Sequence, residues 1–125
     1  MHPPLRILLV DDNPYFLEAA RDFLSAQEGL TVVGAATHAD EALAQAQRLT
    51  PDVILLDLNL GNRFGLELIP RFKEKLPQTR IIVLTLMNEA AYGAAARQAG
   101  ADDFVPKAAL SERLMPALRR LMSPA

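Results

Sequence analysis

Apolar runs begin near Leu5, Leu30, Asp52, Arg80 and Asp102, so they recur about every 22 to 28 residues. That spacing leaves room for a strand, a helix and two short loops in each unit. Ile7-Leu8-Leu9-Val10 and Val53-Ile54-Leu55-Leu56 are apolar without interruption. Strands covered on both faces read this way, whereas half-exposed strands alternate. The regular alternation of strand and helix predicts an α/β domain: an open parallel sheet with helices on both faces.

The intervening segments carry helix caps and stripes. Asn13 is suited as an N-cap with Pro14 at the first helical position, and Phe16, Ala20, Phe23 and Leu24 then share a face. Thr37 is expected to cap a second helix with Ala42, Leu43, Ala46 and Leu49 inside. A third, near Leu66 to Leu76, aligns Leu66, Ile69 and Lys73, with Phe72 beside them. The fourth, near Glu89 to Gln98, is mostly alanine with Gly93 in its middle, and is expected to be the loosest. Gly100 is a natural stop after it. In the fifth, Ser111 is the expected N-cap, and Leu114, Ala117, Leu118 and Leu121 form the stripe. Pro116 then demands that this helix begin later than Ser111 or bend.

Composition narrows the class. A chain of 125 residues, half of them apolar, is one domain able to bury a real core. No apolar run approaches the roughly 18 residues of a membrane helix, and Met1-His2-Pro3-Pro4 does not read as a signal peptide. With no cysteine, disulfides and thiolate metal sites are excluded, which fits the cytosol. A formal net charge of −2 argues against a nucleic-acid surface built over the whole domain.

The candidate chemistry lies at strand ends. In open parallel sheets ligands sit outside the carboxyl ends of the strands. Asp11, Asp12, Asp57, Thr85 and Lys107 all fall there. Clustered carboxylates repel and raise one another's pKa, and a hard cation such as Mg²⁺ relieves that repulsion. Lys107 adds a second positive charge and Thr85 a hydroxyl donor, so an oxygen-rich anion would complete the site and phosphoryl transfer is the implied reaction. Each residue alone has an ordinary explanation. Asp12 or Asp57 could cap a helix, Thr85 could be a plain strand residue, and Lys107 a solvated lysine; only the joint arrangement is specific. His2 lies in the tail, and His38 in a turn read as the wrong end of the second strand. Arg113, Arg119 and Arg120 read as one solvated helix face.

These residues carry a resemblance. LLVDDNP at 8–14, DVILLDLNL at 52–60, the glycine of RFG at 63–65, IIVLTL at 81–86 and AGADDFVPKA at 99–108 resemble the receiver domain of bacterial two-component response regulators. FVPKAAL and the VVGAA segment at 32–36 are most similar to receivers of the NarL/FixJ type. The resemblance implies a three-layer flavodoxin-like (βα)5 fold with strand order 2-1-3-4-5. It implies a receiver domain over 5–122, with tails of 1–4 and 123–125. Asp57 would be the phosphoacceptor for a sensor histidine kinase. Asp11, Asp12, Asp57 and the Asn59 backbone carbonyl would hold Mg²⁺, Asp11 partly through water. Lys107 would pair with phosphoryl oxygens. Thr85 would swing inward, and Phe104 would follow from an outward to an inward rotamer. A homodimer is possible; membrane contact and direct nucleic-acid binding are not expected, and DNA would be reached only through a further C-terminal domain.

The departures from that pattern are informative. Ala108 follows the lysine where proline is usual, leaving the isomer of the Lys107–Ala108 bond open. Gly61 and Phe64 are unusual in the loop after Asp57. Leu86 and Met87 are bulky neighbours of Thr85, expected to crowd the site and slow loss of the phosphoryl group. Other outputs compete: a stand-alone regulator, an aspartate-nucleophile phosphohydrolase, and a docking domain that needs no phosphorylation. The phosphohydrolase would want a second aspartate two residues after Asp57, where Asn59 stands.

Overall fold

A computed structural model of the protein describes residues 3–60, 63–85 and 89–122. Strands and helices alternate in it: β1 (Leu5–Val10), α1 (Pro14–Ser25), β2 (Leu30–Ala36), α2 (Ala39–Leu49), β3 (Val53–Asp57), α3 (Leu68–Lys75), β4 (Arg80–Thr85), α4 (Glu89–Ala99), β5 (Asp103–Pro106) and α5 (Leu110–Met122). The strands form one five-stranded parallel sheet in the order β2-β1-β3-β4-β5. A two-residue antiparallel ladder, Asn59–Leu60 with Arg63–Phe64, follows β3 and was not foreseen from the sequence.

The pleat sends successive side chains to opposite faces, and this divides the core in two. Leu8, Val10, Ile54, Leu56, Ile81, Val83 and Phe104 join a cluster with Ala42, Leu43 and Ala46 of α2, Ile69 and Phe72 of α3 and Ala96 of α4. Ile7, Leu9, Val53, Leu55, Ile82, Leu84 and Val105 join the other with Ala20 and Leu24 of α1 and Leu114, Ala117 and Leu118 of α5. Because each strand feeds both clusters, the runs had to be continuously apolar. Burying a side chain such as Leu24 or Phe72 stabilises by roughly 1.5–3 kcal/mol. Among the described side chains of α4 the fully buried one is Ala96, which contributes much less and agrees with a thinly anchored helix.

Helix ends depart from expectation in three places. His38, not Thr37, caps α2: its Nδ1 accepts from Glu41 N, while the Glu41 carboxylate reaches back to Thr37 N. Asp11 N donates to Ala36 O, so His38 sits beyond the same sheet edge as the acid pair and not at the opposite one. A single 3-10 turn, Gly65–Glu67, precedes α3, which starts later than its apolar pattern suggests. Another, Lys107–Ala109, leads into α5, so that helix starts before Ser111 and carries Pro116 inside it. Gly100 ends α4 at φ +119, in the left-handed region expected of such a stop. Among the described residues every peptide bond is trans, Lys107–Ala108 included.

Candidate functional site

The carboxyl ends of β1, β3 and β5 converge. β1 and β3 are adjacent, pairing Val10 with Leu56, so the residues after them, Asp11 and Asp57, emerge side by side. One ligand oxygen from each of Asp11, Asp12 and Asp57 lies within 4.8 Å of the others. Asp11 and Asp57 are buried and Asp12 is exposed, so the group opens to solvent on one side. Lys107, just beyond β5, reaches across: its Nζ is 2.5 Å from Asp11 Oδ2 and 3.2 Å from Asp57 Oδ2.

Local backbone donors orient both buried acids. Asn13 N donates to Asp11 Oδ1 at 2.9 Å and Asn59 N to Asp57 Oδ1 at 3.1 Å. Each acid thus spends one oxygen on the turn that follows it and leaves the other facing Lys107. Burial pushes the Asp57 carboxyl up from an ordinary 3.8 to about 6. The Asn59 N–H opposes this, the Asp11 charge adds to it, and Lys107 opposes it again.

A divalent cation fits this donor set. Asp11 Oδ2 is buried and makes no hydrogen bond; its close contact with Lys107 is an ion pair whose angles fall outside hydrogen-bond geometry. A buried carboxylate oxygen in that condition, beside two further carboxylates, is what a hard oxygen-seeking ion would satisfy.

The other expected residues divide. Phe104 is fully buried in the α2–α3–α4 cluster. Thr85 closes β4; its side chain, with Leu86, Met87 and Gly61, lies outside the described residues. Of the arginine group, Arg120 is not merely solvated: its guanidinium pairs with Asp103 on β5. Phe16 was read only as a stripe residue, yet its ring lies 4.3 Å from Lys107 Nζ. No sequence signal marks that contact, because an aromatic at this helical position packs on a core in most proteins.

Comparison with known proteins agrees with the geometry. Residues 7–119 match the family described as the response regulator receiver domain, and the chain belongs to that family. It is 35% identical over 117 residues to the nitrate/nitrite response regulator protein NarL of Escherichia coli, covering 94% of this chain and 54% of that protein. The crystal structure of a LuxR-family two-component response regulator from Aurantimonas sp. matches with a TM-score of 0.88 and 30% identity, over 94% of this chain and 84% of that one. A response regulator from Burkholderia pseudomallei, crystallised with a phosphorylated aspartic acid, a calcium ion and citrate, matches with a TM-score of 0.82 and 35% identity, over 90% and 65% of the two chains. The domain is thus a signal-transduction receiver of the NarL type. The chain spans about half the length of the curated relatives it matches. No described helix is long and apolar enough to cross a membrane.

Proposed function

We propose that the domain, taken as residues 5–122 with tails 1–4 and 123–125, is a phosphorylation-switched module. Asp57 accepts a phosphoryl group from the phosphohistidine of a sensor histidine kinase. The observation that carries this reading is Lys107 bridging Asp11 and Asp57 beside the Asp12 carboxylate. An Asp57 oxygen attacks phosphorus; the new O–P bond forms as the P–N bond breaks, and the imidazole keeps the electron pair and takes up a proton. Lys107 holds the phosphoryl oxygens, which lowers the cost of gathering negative charge at a buried carboxylate. Mg²⁺, when bound by Asp11, Asp12, Asp57 and the Asn59 carbonyl, supplies charge neutralisation at the transferring group.

The new charge is read at a distance through a two-state surface. The Thr85 hydroxyl donates to the phosphoryl group, and Phe104 and α4 repack in response. Leu86 and Met87 restrict water and lengthen the phosphorylated lifetime; equal half-lives for wild type and Leu86→Ala, Met87→Glu would end that part. The domain itself is a signalling element and not an enzyme with its own substrate pool. It works in the cytoplasm and reaches DNA through another domain of a longer regulator, a reading supported by the naming of a Pseudomonas aeruginosa relative as a transcriptional regulator and of the RcsB response regulator structure for its DNA interaction; a homodimer is compatible with this reading.

Incubation with acetyl phosphate and Mg²⁺, followed by intact-mass measurement, tests the core of this. One added phosphoryl mass is expected, absent in Asp57→Asn and abolished by chelator. No added mass with any small-molecule or histidine-kinase donor sinks the reading.

A further inference from the structure

Lys107 is walled on three sides. Its Nζ has Asp11 Oδ2 at 2.5 Å, Asp57 Oδ2 at 3.2 Å and the centroid of the Phe16 ring at 4.3 Å. Its side chain is only 9% exposed, so the ring contact is made largely out of water, where the attraction between an ammonium and an aromatic face is strongest. The pull of two of these walls would change during signalling: that of Asp57 when it is phosphorylated, and that of Asp11 when a cation beside it offsets its charge. The aromatic face does not change.

Phe16 is also well placed to hold still. It sits in the first turn of α1, where the Asn13 side chain accepts from Tyr15 N at 2.9 Å and from Phe16 N at 3.3 Å. Its ring packs against the α1–α5 side of the core. A phenyl group has two side-chain torsions, whereas the lysine stem has four and is otherwise free to swing toward solvent.

We infer that Phe16 is a positioning residue for the phosphorylation reaction: its ring keeps the Lys107 ammonium over Asp57 while the pull of the two neighbouring carboxylates changes. This rests on Asp57 being the phosphoacceptor. The alternative is that Phe16 is only a packing residue of α1.

The test follows the rate of Asp57 modification by acetyl phosphate at saturating Mg²⁺, read by intact mass. Phe16→Leu, with Phe16→Met as a second variant should the first fold poorly, is expected to be slower by about tenfold, between the scales of an exposed and a fully desolvated ring–ammonium contact. The Mg²⁺ concentration for half-maximal rate should stay the same. Phe16→Tyr should restore the wild-type rate, and Phe16→Leu should cost nothing further in a Lys107→Gln background. Independently of any reaction, the Lys107 ε-methylene proton resonances should be shifted upfield by the ring in the wild type and return to their ordinary position in Phe16→Leu. A wild-type rate in Phe16→Leu, the same slowing with and without Lys107, failure of tyrosine to rescue, or absence of the ring shift overturns the inference. Failure of the wild type itself to be modified instead overturns the assignment of Asp57.

Discussion

Asp57 carries the tension of the site. The folded chain holds its proton more tightly than the unfolded chain, since the carboxyl is raised to about 6. For an acid shifted in this direction, the native state binds the extra proton between the two pKa values. Stability therefore falls as pH rises from about 3.8 to about 6, then levels off. The full difference corresponds to roughly 3 kcal/mol in the absence of a cation. Asp57→Asn should consequently be more stable than wild type by about 1–3 kcal/mol at pH ~7.5 in chelator, with the gap closing toward pH ~4. Urea unfolding across that range measures it, and parallel curves for the two proteins would contradict it. Added Mg²⁺ should narrow the gap from the other side by binding the native wild type. The four charged members of the site were legible because strand ends converge in a parallel sheet. Phe16 was not, because nothing about an apolar residue in a helical stripe reports what its ring faces.

Elements were legible where burial dictated them, and less so at their ends. Strand positions and helix stripes followed from apolar periodicity. Caps and 3-10 turns are decided by which side chain reaches which orphan donor, as His38 and Glu41 do at α2. Gly34 shows a tight element contact hidden from the sequence. A Cβ there would stand 2.5 Å from Gln45 Oε1, 2.9 Å from Leu49 Cδ1 and 3.2 Å from Leu8 Cδ1. Gln45 is itself committed, its Nε2 donating to Ala35 O at 2.9 Å. Gly34→Ala should therefore force Gln45 and Leu49 into other rotamers, break the Gln45–Ala35 bond and cost about 1 kcal/mol, although alanine is ordinarily the better strand residue. Chemical denaturation gives the value; a neutral or stabilising effect would show that Gln45 and Leu49 yield without loss.

At the scale of the molecule, the sheet edge opposite the site is closed by a polar lock. Asp102 Oδ2 accepts from Lys73 Nζ and from Ile81 N, both at 2.8 Å, and Lys73 Nζ also donates to Thr79 O at 2.8 Å. This ties α3, the start of β4 and the turn after α4 together. Lys73 was grouped with the apolar line of α3, and only tertiary structure reveals its partners. Asp102→Ala should cost about 2–3 kcal/mol, because it strands the Ile81 backbone donor and removes the counter-charge of the Lys73 ammonium, which keeps only Thr79 O. Asp102→Asn should recover part of that. Amide exchange at Ile81 locates the effect; unchanged protection there would refute the lock.

The split core also separates jobs between the two sides of the sheet. Phe104 faces the α2–α3–α4 layer, while the next residue, Val105, faces α1 and α5. A rearrangement that starts at Phe104 can remodel one leaf and leave the other as a steady handle. Any partner docked on the α1–α5 leaf would then meet the same contour before and after the rearrangement. Methyl resonances of Leu24, Leu114 and Leu118 staying put on phosphorylation, while those of Leu58, Ile69 and Ile81 move, would be the mark of such a division.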